Sequence, residues 1–126
     1  MKTSILIYDD DPEILMVCKI ILERRHHQVA TRLFCDQILE DISEVNPEVI
    51  LMDLWIPSIG GEQAVMLIKN NEKTAQIRVI LFSANTEVDI IAKKINADGV
   101  LRKPFEIQAL LDIVENAGAK INVTTR

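Results

Sequence analysis

The sequence is poor in the residues that cross-link or punctuate small domains, with two cysteines, four glycines and four prolines in 126 positions. Cys18 and Cys35 lack the Cys-x-x-Cys spacing of zinc or dithiol chemistry and fall in segments of helical character, so inert buried thiols are expected. No apolar run approaches the roughly 18 residues of a membrane span, and Met1 to Ser4 lead straight into a four-residue apolar run instead of a signal-peptide core. A cytoplasmic protein without a membrane partner is the expectation. A basic excess is missing too: 14 Lys and Arg face 19 Asp and Glu, a net charge of −5, which suits no direct contact with nucleic acid. The densest basic cluster, Arg24-Arg25-His26-His27, stands where a helix should end, and cations there complement the helix dipole, so a helix-end or exposed role is expected for both histidines. No linker rich in Pro, Gly or Ser interrupts the chain. One free-standing domain over residues 1–126 is expected, with its core at about 4–118 and a short tail at 119–126.

What the chain does have is alternation. Short apolar runs recur at Ile5–Tyr8, Val49–Met52, Val79–Phe82 and Val100–Leu101, and continuous runs of strand length indicate strands buried on both faces. Val29–Leu33, broken by Thr31 and Arg32, suits a strand at a sheet edge. Helical spacing lies between them at Ile14, Val17, Cys18 and Ile21, at Ala64, Leu67 and Ile68, and at Ile107, Leu110, Leu111 and Val114. Asp36–Val45 and Glu87–Ile95 are long enough for two further helices. Asp11-Pro12, Asn46-Pro47, Gly60-Gly61 and Asp98-Gly99 mark boundaries. The reading is a three-layer, doubly wound (βα)5 domain whose parallel sheet takes the flavodoxin-like order 2-1-3-4-5.

In such folds the ligand crevice lies at the carboxyl ends of the strands. Those ends bring Asp9, Asp10 and Asp11 from the first strand, Asp53 from the third, Ser83 from the fourth and Lys103-Pro104 from the fifth. Carboxylates crowded together either raise a pKa or recruit a cation, and oxygen-only ligands favour Mg²⁺ (or Mn²⁺). An ammonium and a hydroxyl on the same rim can neutralise and bind phosphoryl oxygens, while a carboxylate facing them can be a nucleophile.

From Ile5 to about Ala117 the chain resembles the response-regulator receiver family of two-component signalling. The resemblance rests on Ile5-Leu6-Ile7-Tyr8-Asp9-Asp10-Asp11-Pro12, on Asp53-Leu54-Trp55-Ile56-Pro57 with Gly61 eight residues after Asp53, on Ser83-Ala84 and on Lys103-Pro104-Phe105. It implies Asp53 as phosphoacceptor and Asp10, Asp53 and the Trp55 backbone carbonyl as metal ligands, with Asp9 acting through water and Asp11 as an accessory acid. Ser83 would bind a phosphoryl oxygen, Ala84 would leave space, Lys103 would bridge phosphoryl group and carboxylate, and the Lys103-Pro104 bond would be cis. The implied activity is self-catalysed, Mg²⁺-dependent phosphorylation and dephosphorylation. A histidine kinase or phosphotransfer domain would be the donor, docking beside the crevice around Pro12–Arg25, and a downstream protein would read the result. The resemblance leaves room for a weak or phosphorylation-dependent dimer.

Val100 and Trp55 stand out against the family pattern, and Asn85 is considered with Trp55. Val100 stands where most receivers carry a ring that swings inward on phosphorylation. Trp55 and Asn85 occupy the places that govern access of water to the phosphoryl group, and are expected to tune its lifetime. Haloacid-dehalogenase-type phosphatases share an Asp-rich first strand end, but Glu13 stands where those enzymes have Thr or Val. A flavodoxin-type carrier would need a Ser/Thr/Gly-rich loop where this chain has carboxylates that repel phosphate. The remaining alternative is a receiver-shaped adaptor that binds proteins without being phosphorylated.

Overall fold

Strands and helices alternate along the chain as β1 (Ser4–Tyr8), α1 (Pro12–Glu23), β2 (Gln28–Arg32), α2 (Ile38–Val45), β3 (Val49–Asp53), α3 (Gly61–Lys69), β4 (Arg78–Ser83), α4 (Val88–Lys94), β5 (Gly99–Arg102) and α5 (Ile107–Thr124). The computed structural model describes residues 2–56 and 60–124, with side chains to residue 119. All strand pairs are parallel, in the order β2-β1-β3-β4-β5 that the sequence predicts.

The apolar runs explain the layers. Successive side chains of a strand point to opposite faces, so Ile5, Ile7, Val49, Leu51, Ile80 and Phe82 meet Leu15, Cys18 and Leu22 of α1 and Leu110, Leu111 and Val114 of α5. Leu6, Tyr8, Ile50, Met52, Val79 and Leu81 meet α2, α3 and α4 on the other face. Full burial of each large aliphatic side chain contributes about 1.5–3 kcal/mol. Among the described residues no helix is long and apolar enough to cross a membrane.

Local chemistry sets the boundaries. The Asp11 carboxylate accepts from the Glu13 N–H at 2.9 Å, capping α1 ahead of Pro12. Asn46 closes α2 in the left-handed region at φ 54°. A Cβ on Gly61 would come 2.0 Å from the Asp53 carbonyl oxygen, so only glycine lets α3 start against the end of β3.

Several expectations shift. The buried stripe of α1 is Leu15, Cys18 and Leu22, while Val17 points outward and Ile14 and Ile21 are half-buried, because apolar residues surround most of this helix and the spacing alone does not select a face. Leu67 is likewise exposed, with Val65 inside in its place. Cys35 is buried, as Cys18 is, but it precedes α2 instead of lying in it. Helix α5 continues to Thr124, into the segment expected as a tail.

The basic cluster begins at the helix end as expected, with Arg24 at the C-cap of α1, but its later members serve tertiary structure. Helix α1 ends at Glu23 without a basic residue in its last turn, and His26 turns the chain at φ 67°. His27 is only 4% exposed. Its Nδ1 accepts from the Thr3 N–H at 3.0 Å, which leaves the Nε2–H to donate to Glu115 at 2.9 Å, and Arg25 pairs with the other oxygen of Glu115. The helix end, β1 and α5 are thereby fastened together. At the same end of the sheet the Lys69 ammonium donates to the Ala75 and Ile77 carbonyls and to Asp98.

A third polar contact lies inside the α2 layer. The Tyr8 hydroxyl donates to Asp41 Oδ2 at 2.6 Å, and burial, followed by that bond, raises the phenol's pKa. Arg32 lies 3.4 Å from the other Asp41 oxygen. Removing the hydroxyl leaves a buried carboxylate oxygen without its donor, so Tyr8→Phe is expected to lower stability by about 1–3 kcal/mol in urea unfolding. An unchanged midpoint would mean that Arg32 alone satisfies Asp41.

Candidate functional site

The order of the strands assembles the site. Asp9 follows β1 and Asp53 closes β3, and these strands are neighbours with Tyr8 opposite Met52, so the two carboxylates emerge side by side. Carboxylate oxygens of Asp9, Asp10 and Asp53 lie within 4.8 Å of one another. Asp9 is fully buried and Asp53 3% exposed, while Asp10 is open to solvent at the mouth.

One ammonium answers these three acids. Lys103 Nζ donates to Asp9 Oδ2 at 2.7 Å and lies 3.7 Å from Asp53 Oδ2. Three carboxylates less one ammonium leave two negative charges, the charge of one divalent ion. The donors are all oxygen and partly buried, and such a set fits Mg²⁺ or Mn²⁺. Asp9 has both oxygens engaged, one by Lys103 and one by the Asp11 N–H at 2.9 Å, which suits contact with an ion through water.

Burial raises the Asp53 carboxyl above the usual range, and the charge of Asp9 adds to it. Lys103 and the Trp55 N–H, 3.3 Å from Asp53 Oδ1, oppose the rise without cancelling it, and Asp10 contributes in the upward direction. The acceptor candidate is therefore a carboxylate held at a cost that a cation would relieve.

Ser83 is 1% exposed, and its Oγ accepts from the Asn85 N–H at 3.0 Å, leaving its hydroxyl hydrogen to be donated. Asn85 Oδ1 accepts from the Glu87 N–H at 2.8 Å, so that side chain is turned toward the start of α4. Ala84 and Pro104 are exposed beside the crevice, and the Lys103-Pro104 bond is cis. Trp55 is 68% exposed on the rim. Val100 is half-buried, opposite Leu81, and packs toward α2, α3 and α4. Pro57 lies outside the described residues.

Two aromatic side chains neighbour the site: Phe105, already part of the Lys103-Pro104-Phe105 motif, and Phe82, which the sequence marked only as a strand residue. The Phe82 ring centroid lies 4.6 Å from Lys103 Nζ, and Phe105 meets that ring edge-on at 5.3 Å. Read along the chain, Phe82 is one more apolar residue of a buried strand; its place immediately before Ser83 was the available signal.

With the geometry in place, comparison with known proteins assigns the class. The model of the response regulator receiver domain matches residues 5–115, and the chain belongs to that family. Sporulation initiation phosphotransferase F of Bacillus subtilis is 28% identical over 117 residues, which cover 91% of this chain and 93% of that protein. Nitrogen assimilation regulatory protein NtrX of Azorhizobium caulinodans is 29% identical over 93% of this chain but only 26% of its own length. Among several such curated relatives the chain spans between 26% and 50% of the relative's length. A putative response regulator from Chloroflexus aurantiacus superimposes with a TM-score of 0.88 at 22% identity, over 94% of this chain and 99% of that one, which shows the shared fold.

The raised Asp53 pKa has a sign that can be checked. A carboxyl whose folded pKa exceeds its unfolded value destabilises the fold above the folded pKa, and the cost vanishes as the pH drops below the ordinary carboxylate range of about 4. Asp53→Asn, whose amide oxygen can still accept from Trp55, is expected to raise the melting temperature in EDTA at pH 7 by about 4 °C, on the order of 1 kcal/mol. The gain should shrink toward pH 4; a constant or growing gain would contradict this account of the site.

Proposed function

We propose that this receiver domain is a phosphorylation switch in which Asp53 accepts a phosphoryl group, in the presence of Mg²⁺, from a phosphohistidine of a histidine kinase or phosphotransfer protein. The observation that carries the reading is the buried Asp53 carboxylate, within 4.8 Å of two further carboxylates and 3.7 Å from Lys103. The Bacillus subtilis relative is named a phosphotransferase, in keeping with this reading.

In the transfer an Asp53 oxygen forms a bond to phosphorus as the bond from phosphorus to the donor's imidazole nitrogen breaks. The imidazole leaves with the electron pair and takes up a proton. Such transfers have loose transition states, and placed charge supplies most of the catalysis. Lys103, already beside Asp53, neutralises one phosphoryl oxygen, and the Ser83 hydroxyl donates to another. A divalent ion held by Asp10, Asp53 and the Trp55 carbonyl, with Asp9 behind water, would supply the remaining positive charge. Ala84, exposed next to Ser83, leaves room for the group. Partner proteins would then read the phosphorylated form.

Val100 favours a second reading, an adaptor that binds proteins without phosphorylation, because the ring that most receivers carry there is missing. Intact mass after incubation with Mg²⁺ and phosphoramidate separates the two. One added phosphoryl group is expected on the wild type, none on Asp53→Asn and none in EDTA. An unmodified wild type at short times, together with no response of Trp55 fluorescence to Mg²⁺, would favour the adaptor.

Trp55 and Asn85 flank the path of water to the acyl phosphate in this reading. Trp55→Ala and Asn85→Ala are each expected to change the dephosphorylation rate by about 1 kcal/mol in barrier, or roughly five-fold. Unchanged decay of the adduct in both variants would remove them from that role.

A further inference from the structure

Lys103 carries its charge on a flexible four-carbon stem, and fixing such a stem costs rotamer entropy. Of its two carboxylate neighbours, Asp9 is at hydrogen-bond distance, 2.7 Å, and Asp53 is not, at 3.7 Å. The Asp53 contact alone would not hold the ammonium in place. The Phe82 ring also faces that ammonium, with its centroid 4.6 Å from Nζ, inside the range where the negative face of a ring attracts a cation.

The ring is itself immobilised. Phe82 is fully buried and sits in β4 between Asp53 of β3 and Leu101 of β5. Phe105 meets it edge-on, at 5.3 Å and an interplanar angle of 64°. Phe105 follows Lys103 by two residues, so the segment that carries the cation also clamps the ring beside it. Packing does not by itself demand an aromatic here, since the other strand residues of this face, Ile5, Ile7, Val49, Leu51, Ile80 and Leu101, are aliphatic.

We propose that Phe82 is a positioning residue, whose ring face holds the Lys103 ammonium between Asp9 and Asp53 so that its charge is in place before the phosphoryl oxygens arrive. This rests on the reading of Asp53 as acceptor. A mere packing role for Phe82 differs in one respect: it depends on the shape of the ring and not on its electron density. Fluorination drains the negative face of a ring while nearly preserving its shape.

The test uses the full chain, with Phe82→Leu and with mono-, di- and trifluorinated phenylalanine at position 82. In the protein without phosphodonor, NMR should find the Lys103 ε-methylene protons shifted upfield by the ring, and Phe82→Leu should abolish the shift. With phosphoramidate at saturating Mg²⁺, the maximal phosphorylation rate should fall stepwise with fluorine number, reaching roughly three- to thirty-fold. The half-saturating donor concentration and the melting temperature should hardly move. Unshifted ε-methylene protons in the wild type would overturn the proposal, as would a flat fluorine series in which only Phe82→Leu slows the reaction and also melts earlier. A wild type that takes no phosphoryl group overturns the acceptor reading itself, whereas normal modification with a flat series overturns the role of Phe82 alone.

Discussion

The ion pair between Lys103 and Asp9, 2.7 Å long with its carboxylate fully buried, allows a second carboxylate, Asp53, to sit inside the same crevice. Removing one member of a buried pair typically costs about 3–5 kcal/mol, because the other is left charged and unpaired. The geometry follows from topology. Only because β1 lies beside β3, and β4 lies between β3 and β5, do residues from opposite ends of the sequence share one rim. The pair is nevertheless incomplete, with three acids against one base. That deficit is the charge balance that one divalent ion would complete.

Beyond the crevice the bonded connections run toward α4. Ser83 holds the Asn85 N–H, Asn85 holds the Glu87 N–H, and the Val88 N–H donates to the Asn85 carbonyl at 3.2 Å, so a series of short bonds leads from the rim into the first turn of that helix. Arg102 at the end of β5 pairs with Asp89 of the same helix. Val100, in the middle of β5, has a branched aliphatic side chain against the α2–α4 layer and no ring to move. Within the described residues, these polar connections link the site to the face formed by α4 and β5.

The fold and most of the rim could be read from the sequence because the signals there are local and strong. Four-residue apolar runs between helix-length segments leave little choice but a parallel sheet, and each run delivers its polar residue one position later. What could not be read was decided by packing at a distance. Helix α1 is apolar nearly all round, so its spacing did not separate Val17, which faces out, from Leu15, which faces in. His27 looked like a helix-end cation until the folded chain brought Thr3 and Glu115 to its two nitrogens, from 24 and 88 residues away. Phe82 was hidden for the converse reason: an apolar residue in an apolar run announces burial, and only the three-dimensional arrangement puts Lys103 over its face.

Three carboxylates against one ammonium make Mg²⁺ binding, with Asp53 among the ligands, the property to measure. Mg²⁺ is titrated against Trp55 fluorescence, in the wild type and in Asp10→Asn, from neutral pH down into the carboxylate range near pH 4. Saturable binding is expected, with affinity that falls toward acid pH, the direction in which Asp53 takes up a proton, and that drops about ten-fold or more when Asp10 is neutralised. Binding that ignores both pH and Asp10, or no binding at millimolar Mg²⁺, would contradict this reading of the site.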